Sequence, residues 1–377
     1  MTEAPGPLLT IAAFLLLLGP LVFVHELGHY LAGRWFGVKA EEFSIGFGRE
    51  IFGLTDKRGT RWKFGWLPLG GYVKFAGDMN AASQPSAEWL ALPAAERSRT
   101  FQSKPLWQRA IIVAAGPIIN LALAVLILGG FALAYGDGQT PPVVGSVAPN
   151  SAAATAGMLP GDRITAIGGR TIGRFDDLRL FAAMRPGETV RADIVRGGAA
   201  LQLPLTLDAI EEKDRLGNVY RIGRIGIGPG APVIEPVGVL QAPLVGIRRT
   251  GEIIRMMTDT IAQIVTGRRS MQELGGPLRI AQVSGDALSV GWPEFISLIA
   301  LVSINLGFIN LLPVPMLDGG HLMFYAIEAV RRRPVDARAQ EWAFRGGLLA
   351  ILALMLVVTV NDLGAFGVWK GLAGLIG

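Results

Sequence analysis

Leu15-Leu16-Leu17-Leu18-Gly19-Pro20-Leu21-Val22-Phe23-Val24-His25-Glu26-Leu27-Gly28-His29 is the stretch that decides the fold. No charged residue stands between Ala4 and Val24, and about 20 apolar residues in helical form cross a hydrocarbon core of roughly 30 Å. The run closes on His-Glu-Leu-Gly-His. Residues four apart on a helix lie one turn apart on one face, so His25 and His29 present two imidazoles to a single point. This is a zinc-binding spacing, and the Glu between the ligands is placed to activate a water at the metal. A His/Glu/His cluster at bilayer depth is expensive, which makes a functional reading the default. The plainer readings are a signal anchor or a cleaved signal peptide. The run lacks a basic leader and a small-residue cleavage site, and those readings leave both His unexplained.

Hydrophobic residues make up 51% of the 377 residues and charged residues 17%, with a mean hydropathy of +0.43. This is the composition of a polytopic membrane protein that also carries soluble mass. There is no Cys, which excludes disulfides and thiolate zinc sites. Zinc must then be held by His, carboxylate and water, and the chain has only three His. Four runs are membrane-length or nearly so: residues 7–31, 110–135, 295–317 and 346–360. Twelve Lys and Arg, from Arg34 to Arg109, lie between the first and second runs, and Arg331, Arg332, Arg333 and Arg338 between the third and fourth. The positive-inside rule assigns both basic loops to the cytoplasm and places both termini and residues 137–294 outside. The net charge of +5 reflects this topology, and no basic tract of the nucleic-acid-binding kind stands apart from it.

The outer segment reads as a small α/β module over residues 142–229. Strands are expected at 143–147, 163–167, 189–195, 201–207 and 220–227, a helix at 175–184, and a hairpin across Gly197-Gly198. Ala156-Gly157-Met158-Leu159-Pro160-Gly161-Asp162-Arg163-Ile164 resembles the signature of PDZ domains. Such a module binds an extended peptide by strand addition. In the permuted bacterial order the groove lies between Arg224-Ile225-Gly226-Ile227 and the helix at 175–184. Residues 240–265 follow as an amphipathic helix at the outer membrane surface, a connector.

Two His make half a tetrahedral site, and catalytic zinc commonly takes a third protein ligand. The candidate is Asp318, in Asn310-Leu311-Leu312-Pro313-Val314-Pro315-Met316-Leu317-Asp318-Gly319. Alone it would read as a helix-capping carboxylate. Beside HExxH, with two prolines breaking the helix at membrane depth, it reads as part of a site.

His-Glu-x-x-His in the first span and Asn-x-x-Pro-x-x-x-x-Asp-Gly in the third together resemble the site-2 proteases, zinc-dependent intramembrane peptidases. Within that family the resemblance is to the regulator-of-sigma-E protease type. It extends to residues 43–48, 68–74, Ala115-Gly116-Pro117 and Asn120, and covers nearly the whole chain. The chain has room for one PDZ module where well-known relatives carry two. The resemblance implies that His25, His29 and Asp318 bind zinc. It makes Glu26 the general base and then the proton donor, and Asn310 a hydrogen-bond partner of the substrate backbone or oxyanion. His321 is left a minor role.

A helical substrate has its amides satisfied and must unwind before cleavage. Residues 43–52 and 61–75 alternate as β-hairpins do, and the resemblance implies a membrane-reentrant β element there. Its edge, through Gly70, Gly71, Tyr72, Val73 and Lys74, is expected to pair with the unwound substrate. The fold class expected is thus a polytopic α-helical membrane protein with about four spans, a membrane-associated β region and one inserted periplasmic PDZ domain. The segments are 1–34 (first span), 35–106 (β region), 107–136 (second span) and 137–230 (PDZ). They continue as 231–291 (connector), 292–325 (third span), 326–343 (cytoplasmic loop) and 344–369 (fourth span). The implied setting is a bacterial inner membrane, with the active site toward the cytoplasm. The implied substrates are single-span proteins, such as an anti-sigma factor trimmed by a site-1 protease. The enzyme is expected to be a monomer that binds no nucleic acid. The rival readings are a non-proteolytic PDZ adaptor, a metal transporter, which the apolar second span disfavours, and a site-2 protease that clears signal-peptide remnants.

Overall fold

A computed structural model describes residues 5–77, 93–213, 219–266 and 275–365. Parts of the expected β region (78–92), connector (267–274) and fourth span (366–369) lie outside these. The chain divides into two compact units, one of residues 1–128, 246–256 and 271–377, the other of 129–245 and 257–270.

The longer helices, in chain order, are α1 (Pro7–Trp35), α2 (Leu106–Tyr135), α3 (Phe175–Ala183), α4 (Ala242–Val265), α5 (Pro277–Val290), α6 (Trp292–Asn310), α7 (Asp318–Arg331) and α8 (Ala337–Ala365). By length and composition α1, α2, α6 and residues Arg338–Leu363 of α8 can cross a membrane. Proline stands in the first turn of α1, α4, α5 and α6, where its missing N–H leaves no bond unmade.

In the first unit, α1 buries Ala13, Leu17 and Leu21, an i, i+4 row that runs on to His25 and His29. Phe295 of α6 packs on this row, with Ile280, Ala287 and Leu288 of α5 beside it. The region expected as a surface connector therefore contains a packed helix. Its fit comes from Ser284 and Gly285, since a Cβ at Gly285 would meet Thr10 of α1. Asp362 of α8 caps α5, accepting from the backbone N–H of Gly276 and Arg279 at 3.1 Å each.

Strands β1 (Ala40–Thr55) and β2 (Arg61–Phe75) pair with each other, but as more than a simple hairpin. Glu42, Phe43, Ser44 and Ile45 lie opposite Lys74, Val73, Tyr72 and Gly71 on one side and opposite Arg61, Trp62, Lys63 and Phe64 on the other. Phe52 to Thr55 pair in turn with Phe64 to Arg61. Each strand folds back on itself, giving four lanes, and residues 71–75 form an outer lane that is paired, among the described residues, on one side only. The bend needs Gly46 and Gly48, whose φ angles are +87° and +84°. A Cβ at Gly46 would also press on the Gly65 and Leu67 carbonyls. Phe43, Trp62 and Tyr30 of α1 cluster at the base of the sheet, with the Phe43 and Trp62 rings stacked 4.3 Å apart. On the part of the sheet formed by residues 51–66, Ile51, Phe52, Leu54, Phe64 and Trp66 are exposed.

The third span is broken into two helices, as its two prolines predict. Helix α6 stops at Asn310, residues 311–317 turn, and α7 starts at Asp318. Pro313 and Pro315 cannot continue the hydrogen-bond ladder. The expected loop at 326–343 shrinks to the five residues 332–336, because α7 runs to Arg331 and α8 begins at Ala337.

The second unit carries the module. Its strands are β3 (Asp137–Gln139), β4 (Val144–Val147), β5 (Arg163–Ile167), β6 (Arg170–Thr171), β7 (Thr189–Arg196), β8 (Ala199–Thr206), β9 (Asp208–Lys213), β10 (Val219–Arg224), β11 (Ile227–Pro229) and β12 (Val233–Glu235). One sheet has the order β6-β5-β7-β8, and β9 pairs with β10, β4 with β11 and β3 with β12. Ile164, Ile167, Leu178, Ala192, Ile194 and Leu205 form the core. The strand expected at 220–227 is instead β10 and β11. It breaks at Ile225-Gly226, where Gly226 takes φ +81° and these two carbonyls accept from Ala153 and Ala148 N–H at 2.9 and 2.8 Å.

Candidate metal centre

Helix α1 sets His25 and His29 one turn apart, and their Nε2 atoms stand 3.3 Å from each other. The turn before α7 brings Asp318 to them. Its Oδ2 lies 3.2 Å from His25 Nε2 and 3.6 Å from His29 Nε2. Zinc bonds of about 2.0–2.1 Å at tetrahedral angles separate neighbouring ligand atoms by about 3.3 Å. The triangle has the dimensions that three ligand atoms of a tetrahedral zinc would have, and its chemistry of two imidazoles and a carboxylate suits that ion.

Asp318 reaches this place because the residues after it have no side chains. A Cβ on Gly319 would collide with the carbonyls of Leu311 and Leu312, and one on Gly320 with that of Val314. Met316, a non-glycine residue at φ +85°, completes the tight turn. The Asp-Gly-Gly sequence is thus a requirement for seating α7 against the chain that precedes it.

One cavity of about 610 Å³ gathers His25, Glu26, His29, Asn310, Asp318 and His321 with Gly70, Gly71, Tyr72 and Val73 of β2. Glu26 is buried. The outer β lane passes close to it, since a Cβ on Gly71 would stand 2.9 Å from Glu26 Cγ. Lys74 does not join the cavity and pairs with Glu41 at 3.3 Å. His321 packs its ring 4.8 Å from that of Phe344. Arg224, Ile225, Gly226 and Ile227 line a separate groove in the second unit, opposite Phe175, Leu178 and Arg179 of α3.

Helix α2 supplies a supporting layer that sequence reading had noted only as a family segment. His29 Nδ1 meets the Ile112 carbonyl at 2.9 Å and His25 Nδ1 meets Asn120 Nδ2 at 3.2 Å. Gly116, midway between, leaves room for the His29 ring, which any Cβ would strike. Gly28 of α1 closes against the Ala115 carbonyl in the same way. The visible signal was Gly28 inside the His-Glu-x-x-His motif, with Gly116 and the polar Asn120 in an uncharged run.

The family model described as "Peptidase family M50" matches residues 13–354. A Rhizobium meliloti chain, provisionally named a zinc metalloprotease, is 47% identical over 94% of this chain and 96% of its own length. An Agrobacterium fabrum chain with the same kind of name is 47% identical, over 94% and 95%. Metalloprotease MmpA of Caulobacter vibrioides is 36% identical, over 98% and 99%. Among solved structures, the PDZ domain of an SdrC-like protein from Listeria monocytogenes is 26% identical over 24% of this chain and 87% of that one, at a TM-score of 0.19 that bears no weight. On the full-length match and these relatives, the chain belongs to peptidase family M50, the family of the site-2 proteases.

Proposed function

We propose that the protein hydrolyses peptide bonds within or beside the membrane-spanning segment of single-span proteins, using the His25–His29–Asp318 centre. By its family it is a zinc metalloprotease. The observation that carries the proposal is the triangle of potential ligand atoms 3.2–3.6 Å on a side, sharing one cavity with Glu26 and a strand edge that is unpaired among the described residues. Zinc, when bound, supplies a Lewis acid that polarises water and the scissile carbonyl. Glu26 takes a proton from the attacking water and delivers it to the leaving amide nitrogen. Asn310 donates a hydrogen bond to the developing oxyanion. The substrate enters unwound and adds as a strand along residues 70–74, which holds its carbonyls in place.

The exposed apolar part of the β sheet supports its contact with lipid. The basic loops support a cytoplasmic side for the active site, in a bacterial inner membrane with the PDZ-like module outside. A pre-trimmed anti-sigma factor fits this geometry, with the groove at Arg224–Ile227 reading the trimmed end or excluding bulk. The test is purified protein in bilayers with a trimmed single-span reporter. Cleavage is expected to stop on zinc chelation and to resume on zinc readdition. Cleavage indifferent to chelation would end the metalloprotease reading, and equal turnover of untrimmed reporter would end the gating role.

A further inference from the structure

We propose that Asn120 is a positioning residue that fixes the tautomer of His25, with its carboxamide turned so that Oδ1 accepts the Nδ1 proton. This rests on the metalloprotease reading above. The argument starts from α2, which faces the centre at every fourth residue: Ile112, Gly116 and Asn120. A backbone carbonyl only accepts, so the 2.9 Å contact of His29 Nδ1 with the Ile112 oxygen puts a hydrogen on Nδ1. The Nε2 lone pair of His29 is then free to point at the ligand triangle.

His25 needs the same arrangement, because a neutral imidazole ligates through the nitrogen that carries no hydrogen. Its Nδ1 must therefore donate, and the group in reach is the Asn120 side chain. With Nδ2 placed 3.2 Å from that nitrogen, the amide would donate instead, and the ring hydrogen would sit on Nε2, inside the triangle. That tautomer cannot bind zinc there. Half a turn of the carboxamide exchanges its oxygen and nitrogen while the shape stays the same. The count of hydrogen bonds does not choose between the two senses, since Oδ1 is buried without a partner as placed and Nδ2 takes that position on turning. Ligation chooses, and it requires Oδ1 toward His25. Asn120 is fully buried, so no solvent water can substitute for the amide. Ser303 of α6 donates to the Asn120 backbone carbonyl at 2.8 Å, which holds the residue whatever its side chain.

Two substitutions and one spectrum test this. Asn120→Leu keeps the shape and removes the acceptor, and is expected to weaken zinc binding about 10–100-fold in competition with a chelator. Asn120→Asp, which as a carboxylate accepts the Nδ1 hydrogen, is expected at a pH that keeps it ionised to bind zinc as tightly as the wild type or tighter. In the zinc-loaded wild type, nitrogen NMR of the ring-labelled His is expected to show His25 hydrogenated at Nδ1 and bare at Nε2. With three His in the chain, assignment needs one single-residue control. Wild-type affinity in Asn120→Leu overturns the assignment, as does an Nε2 hydrogen on His25. A wild type that binds no zinc overturns the metalloprotease reading instead, so the two failures are distinguishable.

Discussion

The metal cavity and the groove of the PDZ-like module are both clefts of a few hundred Å³, built in opposite ways. The first draws side chains from α1, the outer β lane, the end of α6 and the start of α7. It sets the buried Glu26 and the half-buried Asp318 among His25 and His29, whose rings make hydrogen bonds to α2. The second is formed by one helix and the backbone that faces it, with apolar walls and the cations Arg179 and Arg224. Bond-breaking needs distant residues converged to within fractions of an ångström. Recognition of an extended chain needs only a free edge and a neighbouring helix. Damage in the two places should accordingly be felt in different measurements.

Asp318→Ala is the hardest blow to the first region. Zinc content is expected to fall from about one per chain to near zero and cleavage to vanish, both read on purified protein. A variant that keeps full zinc would remove Asp318 from the ligand set. Glu26→Gln should separate binding from catalysis, with zinc retained and turnover of the reporter reduced about 10²–10⁴-fold. Near-normal turnover would leave the general base unidentified. Val73→Pro spoils backbone pairing along the outer β lane, where strand addition of the substrate is proposed, away from the three metal-site residues. Turnover is expected to drop about tenfold or more at unchanged zinc content, and undiminished cleavage would sink strand addition.

Asp162→Asn should leave zinc and turnover alone and act only on the second region. Arg196 donates to both Asp162 oxygens at 2.7 Å, and the Leu159 N–H donates at 2.8 Å. This hydrogen bonding from Arg196, opposed by burial and aided by Leu159, holds the carboxyl below its ordinary value of 3.8. A depressed carboxylate stabilises the fold fully above that ordinary value and loses its contribution as pH falls below it. Hydrogen exchange on the intact chain at neutral pH is expected to show the module's opening free energy lowered by about 1.5–3 kcal/mol. The difference between variant and wild type should close on acidification. A difference that grows in acid would refute the ionised role.

The grouping of the candidate centre was readable because the spacing of its residues obeys short-range rules. His25, Glu26 and His29 follow from a four-residue spacing, and Asp318 from a carboxylate beside prolines in an uncharged run. The doubled-back sheet was less readable. Alternation and Gly turns predict hairpins, and nothing local says that residues 42–45 will be flanked on both sides. Gly226 broke a strand that alternation had carried through it, since one left-handed residue outweighs a weak period-two pattern. Asn120 gave no charge and no periodic signal, and its meaning comes from a ring on another helix. The packing of α5 against α1 was hidden because Ser284 and Gly285 contribute by their smallness, which composition counts as polar loop.

The cap that Asp362 places on α5 ties the two extremities of the first unit together. Since α5 in turn braces the first span, a premature stop or a proteolytic nick ahead of position 362 would be transmitted to the opposite end of the polypeptide. The histidine-bearing helix would lose its brace although every residue named in the chemistry remained. A fusion partner joined downstream of that aspartate spares the tether, whereas one that replaces the chain from before it removes the tether.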